Sequence, residues 1–349
     1  MALSSFSSAA IMKPARYAAC LLLAFFGIPA AAGIVFVADE GSNTVSVIET
    51  QSLKRVGVIG VGRTPHNVQI APDGKLAWVT NEGESHGAPH GAIVHGDKGA
   101  TPGRGEIWAI DTATNKVVGK VIVGSHPAHV VLTPDGRFAY VTNGGEDTVS
   151  VVDTAARAVV GTVRVGAYPH GLRIGPDGKE AYVANLKGGT VSVIDTASMK
   201  EVARIPVGKG PAQTGFTSDG RLAFVSLSQE NSVALIDPAA RKVVARVPVG
   251  TIPIQLYATP DGKQLLVANQ GTKQRPGTTV SVIDIGQRRV INTVETGAGA
   301  HGVIVDREGS QAFVTNIYAG TVSVLDLKAM KVVANIAVGH SPNGVSVWP

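Results

Sequence analysis

Runs in which Val or Ile alternates with Ser or Thr recur along most of the chain, each bounded by Gly, Pro, Asn or Asp. TVSVIE at 44–49, TVSVVD at 148–153, TVSVID at 190–195 and 279–284, and TVSVLD at 321–326 are the clearest. A two-residue period with β-branched residues is the signature of half-buried strands. A second word precedes each run: YVTN at 140–143, WVTN at 78–81, YVAN at 182–185, LVAN at 266–269 and FVTN at 313–316, with weaker copies FVAD at 36–39 and FVSL at 224–227. Their last letters, Asp39, Asn81, Asn143, Asn185, Leu227, Asn269 and Asn316, lie 42 residues apart except for one interval of 62 and one of 47.

The third repeat predicts the elements of one unit. Ala128 to Leu132 is a first strand, and the Pro134-Asp135-Gly136 turn supplies a tight reversal. Phe138 to Thr142 is a second strand, Thr148 to Val152 a third and Ala158 to Val165 a fourth, closed by Gly166. Four antiparallel strands repeated radially predict an all-β, seven-bladed β-propeller. Ile34 to Ala38 reads as a second strand with no first before it, and Ser341 to Trp348 as a first strand with no second. The C-terminal strand is expected to complete the N-terminal blade and close the ring, leaving no open edge.

These words resemble the YVTN family of seven-bladed propellers, related in fold to the quinoprotein amine dehydrogenase heavy chain and the haem d1 propellers. The resemblance covers residues 33–349 and implies the fold. It says little of activity, because this scaffold carries many functions.

Residues 1–32 stand apart. Lys13 and Arg16, an apolar stretch from Ala18 to Ile28, and Ala30-Ala31-Ala32 before Gly33 read as a cleaved signal peptide, with Met12 a possible start. The apolar stretch is too short and wrongly flanked to span a membrane, so no membrane insertion is expected. A periplasmic protein, monomeric as one closed ring, is the expectation. Cys20, the single cysteine, leaves with the leader, so a metal site must use imidazole, carboxylate or carbonyl. Losing Lys13 and Arg16 takes two positive charges from the formal +5. The small remainder gives no reason to expect nucleic acid.

Departures from the period carry the functional signal. An insertion, roughly Glu82 to Gly105, separates the second and third strands of blade 2 and contains His86, His90 and His95. Blade 6 has a smaller one, Gln270 to Thr278. Such loops emerge on the same face as the links between blades, so all nine histidines map to one face. One or two places after the Pro of each link stands a polar residue: His66, His129, His170, Gln213, Gln255, His301 and Asn343. The position of His301 and its link follows the same pattern with Ala300 in place of Pro.

Imidazoles gathered from separate blades predict a transition-metal site, Cu or Zn, or a metal-bearing cofactor at the channel mouth. Its ligands would be His66, His129, His170 and His301, with His86, His90 and His95 above and Gln213, Gln255 and Asn343 as cofactor contacts. The plainer reading has these side chains tying backbone together where the chain turns inward. No nucleophile elbow, zincin motif or phosphate-binding loop is present, which favours a binding protein over an enzyme. A metal-dependent lactonase or lyase would need a carboxylate, for which Glu40, Glu82, Glu84 and Glu146 are placed. The alternative is a docking or accessory module for a periplasmic redox enzyme. It would be oriented by Glu40, Glu82, Glu84, Glu146 and Asp147 on blades 1–3 against Lys187, Lys209, Lys273 and Arg275 on blades 4–6.

Overall fold

Alternation along each run puts one set of side chains against each neighbouring sheet, and the strands pair accordingly. In the computed structural model, which describes residues 1–2, 33–83 and 103–349, Phe138–Asn143 pairs antiparallel with Thr148–Asp153, Tyr140 opposite Val151. Seven such four-stranded sheets form the unit Ala32–Pro349. Blade 2 starts at Pro65, blade 3 at Pro127, blade 4 at Pro169, blade 5 at Pro211, blade 6 at Pro253 and blade 7 at Ala300. Blade 1 takes its inner strand from the C-terminus: Pro342–Trp348 pairs antiparallel with Ile34–Asp39. Residues 3–32 and most of the blade 2 insertion, including Glu84, His86, His90 and His95, lie outside the described residues. Among the described residues no helix is long and apolar enough to cross a membrane.

The hydrophobic core lies between blades. Trp78, Ile107 and Ala109 of blade 2 pack with Val130, Ala139 and Val141 of blade 3. The first letter of the repeated word is the large buried piece in most blades: Phe36, Trp78, Tyr140, Tyr182, Phe224 and Phe313 are fully buried. Each such side chain removed from water contributes about 2–3 kcal/mol.

The polar letters tie strands within a blade and one blade to the next. The amide of Asn143 donates to Thr148 Oγ1 and Ser150 Oγ, and Asn185, Asn269 and Asn316 repeat the pattern. The glycine ending the preceding blade lies against this Asn: a Cβ on Gly166 would stand 2.5 Å from Asn185 Nδ2. The third letter acts across a blade boundary. Thr142 Oγ1 accepts the His129 N–H at 3.0 Å and donates to the His170 carbonyl at 2.6 Å. Thr80 and Thr315 make the same bridge, as does Ser226.

Those bridges are needed because every inner strand begins irregularly. In blades 2 to 7, register with the second strand shifts between the first residue of the inner strand and the third after it. The residue before the Pro is left-handed: Thr64, His126, Tyr168, Ile252 and Ser341 have φ between 49° and 55°. A bulge re-aims side chains, so both residues after the Pro can turn toward the axis.

One element differs from expectation. The blade 6 insertion is a longer hairpin rather than a loop, with strands Gln264–Gly271 and Pro276–Asp284 and Gly271 opposite Pro276. Thr272 N–H closes it onto the Arg275 carbonyl at 3.0 Å. Strand pairing satisfies backbone groups that an irregular loop would leave to water.

Candidate metal centre at the channel mouth

The bulged starts of the inner strands bring imidazoles from blades 2, 3, 4 and 7 together. His66, His129 and His170 each offer a ring nitrogen, all within 4.8 Å of one another. Ring centroids lie 5.5 Å apart for His66 and His129, and 5.1 Å apart both for His66 and His170 and for His129 and His170. His301 stands 6.4 Å from His66. Blades 2 and 4 are not neighbours, nor are blades 2 and 7, so these contacts cross the channel axis.

Hydrogen bonds orient the rings. His170 Nδ1 lies 2.9 Å from the Ala212 carbonyl, which only accepts, so Nδ1 carries the proton and the lone pair is on Nε2. His301 Nδ1 likewise donates to Gln270 Oε1 at 2.7 Å, and Gln270 Nε2 donates to Tyr318 Oη. His66 has the opposite tautomer. The Asn343 amide donates to its Nδ1 at 3.0 Å and to Glu40 Oε2 at 2.8 Å, which places the His66 proton on Nε2. Glu40 Oε2 is itself 3.8 Å from His66 Nδ1.

His129 is the exception. It is 1 % exposed, and neither ring nitrogen has a hydrogen-bond partner. Burial, then the neighbouring His170 and His66, hold its pKa well below the usual histidine value, so the ring is neutral at neutral pH. A buried imidazole without a partner costs about 1–3 kcal/mol, and native proteins rarely leave such a group unexplained.

The remaining predicted residues are distributed differently. Asn343 is at the site and positions His66. Gln213 packs between blades, its Nε2 donating to the Leu172 carbonyl at 3.4 Å, and it lies against Gly171. Gln255 is buried with its amide nitrogen unpartnered. His126 is half-buried, 3.9 Å from Glu82, and His340 is exposed. Glu40 and Glu82 are only 3 % and 5 % exposed. They are interior groups and do not contribute to a surface charge gradient, because their carboxylates face histidines and not solvent.

Sequence reasoning passed over Arg173, three residues beyond His170 on the inner strand of blade 4. Its Nη1 donates to Gln69 Oε1 of blade 2 at 3.4 Å, and its guanidinium carbon lies 5.7 Å from the Tyr257 ring of blade 6. A basic residue within the inner strand PHGLRI, at a place where no other blade carries a charge, was the available signal.

A seven-bladed propeller whose bulged inner strands deliver a histidine cluster to one channel mouth is thus the class of this protein. Residues 105–273 and 271–348 match the model of the YNCE-like beta-propeller family, and the chain belongs to that family. No curated protein sequence matches it. Among solved structures it is similar to a chain of hydrazine synthase from Kuenenia stuttgartiensis, at 25% identity and a TM-score of 0.69, over 81% of this chain and 89% of that one. It is also similar to the periplasmic gluconolactonase PpgL from Pseudomonas aeruginosa (20% identity, TM-score 0.70, covering 91% and 99%). A third similar structure is the dihydro-heme d1 dehydrogenase NirN in complex with DHE (14% identity, TM-score 0.64, covering 89% and 74%). The last two share the fold with this chain.

Proposed function

We propose that this propeller is an exported, periplasmic binding protein that holds a transition metal, Cu or Zn, or a metal-bearing cofactor, on His66, His129 and His170. The observation carrying this reading is His129: a buried, neutral imidazole with no partner, beside two others whose nitrogens lie within 4.8 Å. Ligands on a tetrahedral metal with bonds of 2.0–2.1 Å stand about 3.3 Å apart, so the three rings need only close inward slightly. Imidazole suits both metals, and the carbonyl of Ala212 behind His170 is the kind of partner that orients a ligating ring. His301, held by Gln270, stands where it can serve as a fourth ligand or contact a bound cofactor. Ligation through His66 Nε2 would move the ring proton to Nδ1, on the side of Glu40 Oε2 at 3.8 Å, a change of tautomer with no net loss of a proton from the neutral ring.

The test is metal analysis of protein purified without a histidine tag. The expected result is stoichiometric Cu or Zn, lost when His66, His129 and His170 are changed together to Ala. Substoichiometric metal that the triple change leaves unaltered would overturn the reading.

The second reading, a docking or accessory module for a periplasmic redox enzyme, draws on the likeness to a chain of hydrazine synthase. It loses support with Glu40 and Glu82 buried. Glu146 and Asp147 stay at the surface, where each also accepts a backbone N–H, from Ser125 and Tyr168. A lactonase- or lyase-type activity would use Glu40 as the nearby carboxylate, and turnover by the metal-loaded protein separates it from a carrier.

A further inference from the structure

Arg173 reaches residues on blade 2 and blade 6, each two blades from its own. Side chains on non-adjacent blades meet only across the central channel, so the guanidinium lies on or near the axis. His170 starts the same strand three residues earlier, which separates the two side chains by about 10 Å or less along the channel. The channel therefore has two levels: imidazoles at the mouth and a guanidinium beneath.

A guanidinium has five N–H donors in a planar fork. Arg173 uses one, in a long bond to the neutral Gln69 amide, and the Tyr257 face is the other contact. Among the described residues no carboxylate pairs with it. Other interior charges among the described residues have a donor of the protein beside them: Asp39 accepts from Thr44 and Ser46, and Glu40 from Asn343. Buried cations without a counter-ion are costly, and the cost is met when an anion supplies the missing acceptors. Arg173 is largely buried and keeps only a part of its surface open, through which its unused donors can be reached.

We propose that Arg173 is the anchor of an anion site inside the channel, which takes a small oxyanion of the carboxylate or sulfate class bound side-on to the guanidinium fork. Gln69 and Tyr257 flank the site, and the histidine mouth is its entrance. The occupant would lie within reach of a metal held at the mouth, so this deepens the metal-binding reading while standing on different residues.

The test titrates sodium sulfate, and separately sodium malonate, into the full mature chain with chloride as the balancing salt at constant ionic strength, followed by calorimetry. The protein is used as purified and again after chelator treatment. Saturable binding of at least one probe is expected, weakened tenfold or more in R173Q with the far-UV spectrum unchanged. R173K keeps the charge and loses the fork, and is expected to bind between the two. Binding that survives chelation and the three His→Ala changes but not R173Q supports the anion site even if the metal reading fails. Absence of saturable binding by both probes, or binding by R173Q as tight as that of the parent, would overturn it. Should R173Q fail to fold, R173K binding as tightly as the parent is the contradicting result.

Discussion

At the scale of single residues, Thr142 and His129 decide how firmly the site is held. Thr142→Val removes the hydroxyl that accepts from His129 N–H and donates to the His170 carbonyl, and leaves both groups buried without it. The expected loss is about 1–3 kcal/mol, read as a lower urea midpoint, together with weaker metal binding. Blade 4 carries Ala184 at the same letter, and there Thr214 compensates by donating to the Tyr182 carbonyl. His129 gives a pH dependence of definite sign. Its folded pKa is depressed by burial, so between that value and about 6.5 the unfolded chain binds more protons than the folded one. Stability is therefore highest above pH 6.5 and falls as pH drops through that window, by up to about 1.4 kcal/mol per unit. Urea midpoints at pH 7.5 and 5.5 in the presence of chelator check this. The difference should shrink in His129→Gln, and an unchanged difference would assign it to other groups.

At the scale of elements, the inner strands carry both closure and site. Pro342–Trp348 completes blade 1, Ser346 Oγ accepts the Ile70 N–H of blade 2, and Asn343 joins Glu40 to His66. Truncation after Ser341 is expected to lower the melting temperature by more than about 10 °C or to cause aggregation through the exposed edge. Thermal scanning and size-exclusion chromatography would show it, and an unchanged melting curve would contradict this role. The strands, turns and ring closure were legible because each repeat restates the same alternation and the same Pro-Asp-Gly turn. The candidate site was legible only as a set of link residues. His66, His170 and His301 occupy the first place of the bulge and His129 the second, yet all four face the axis. Gln213 and Gln255 share the second place with His129, and Gln213 donates to the Leu172 carbonyl of blade 4. Spacing cannot separate these cases, because the bulge breaks the strand's period. The blade 6 hairpin was hidden for the opposite reason: its Gly and Pro residues read as loop, while pairing onto an existing ladder kept it extended.

For the whole molecule, the seven-fold repeat is a frame whose function lies in its broken symmetry. Blades 2, 3, 4 and 7 supply histidine, blade 1 supplies Asn343 and Glu40, and among the inner strands only that of blade 4 carries an arginine. The ring makes such a site possible by bringing residues as distant as His66 and His301 within 6.4 Å. The central claim, a metal held at the mouth by His66, His129 and His170, is tested most directly by an anomalous-scattering map from crystals loaded with one equivalent of Cu or Zn. The account predicts a single strong peak at bonding distance, about 2.0–2.1 Å, from one nitrogen of each of the three rings. A mouth without a peak, or metal only at the exposed His340, would contradict it.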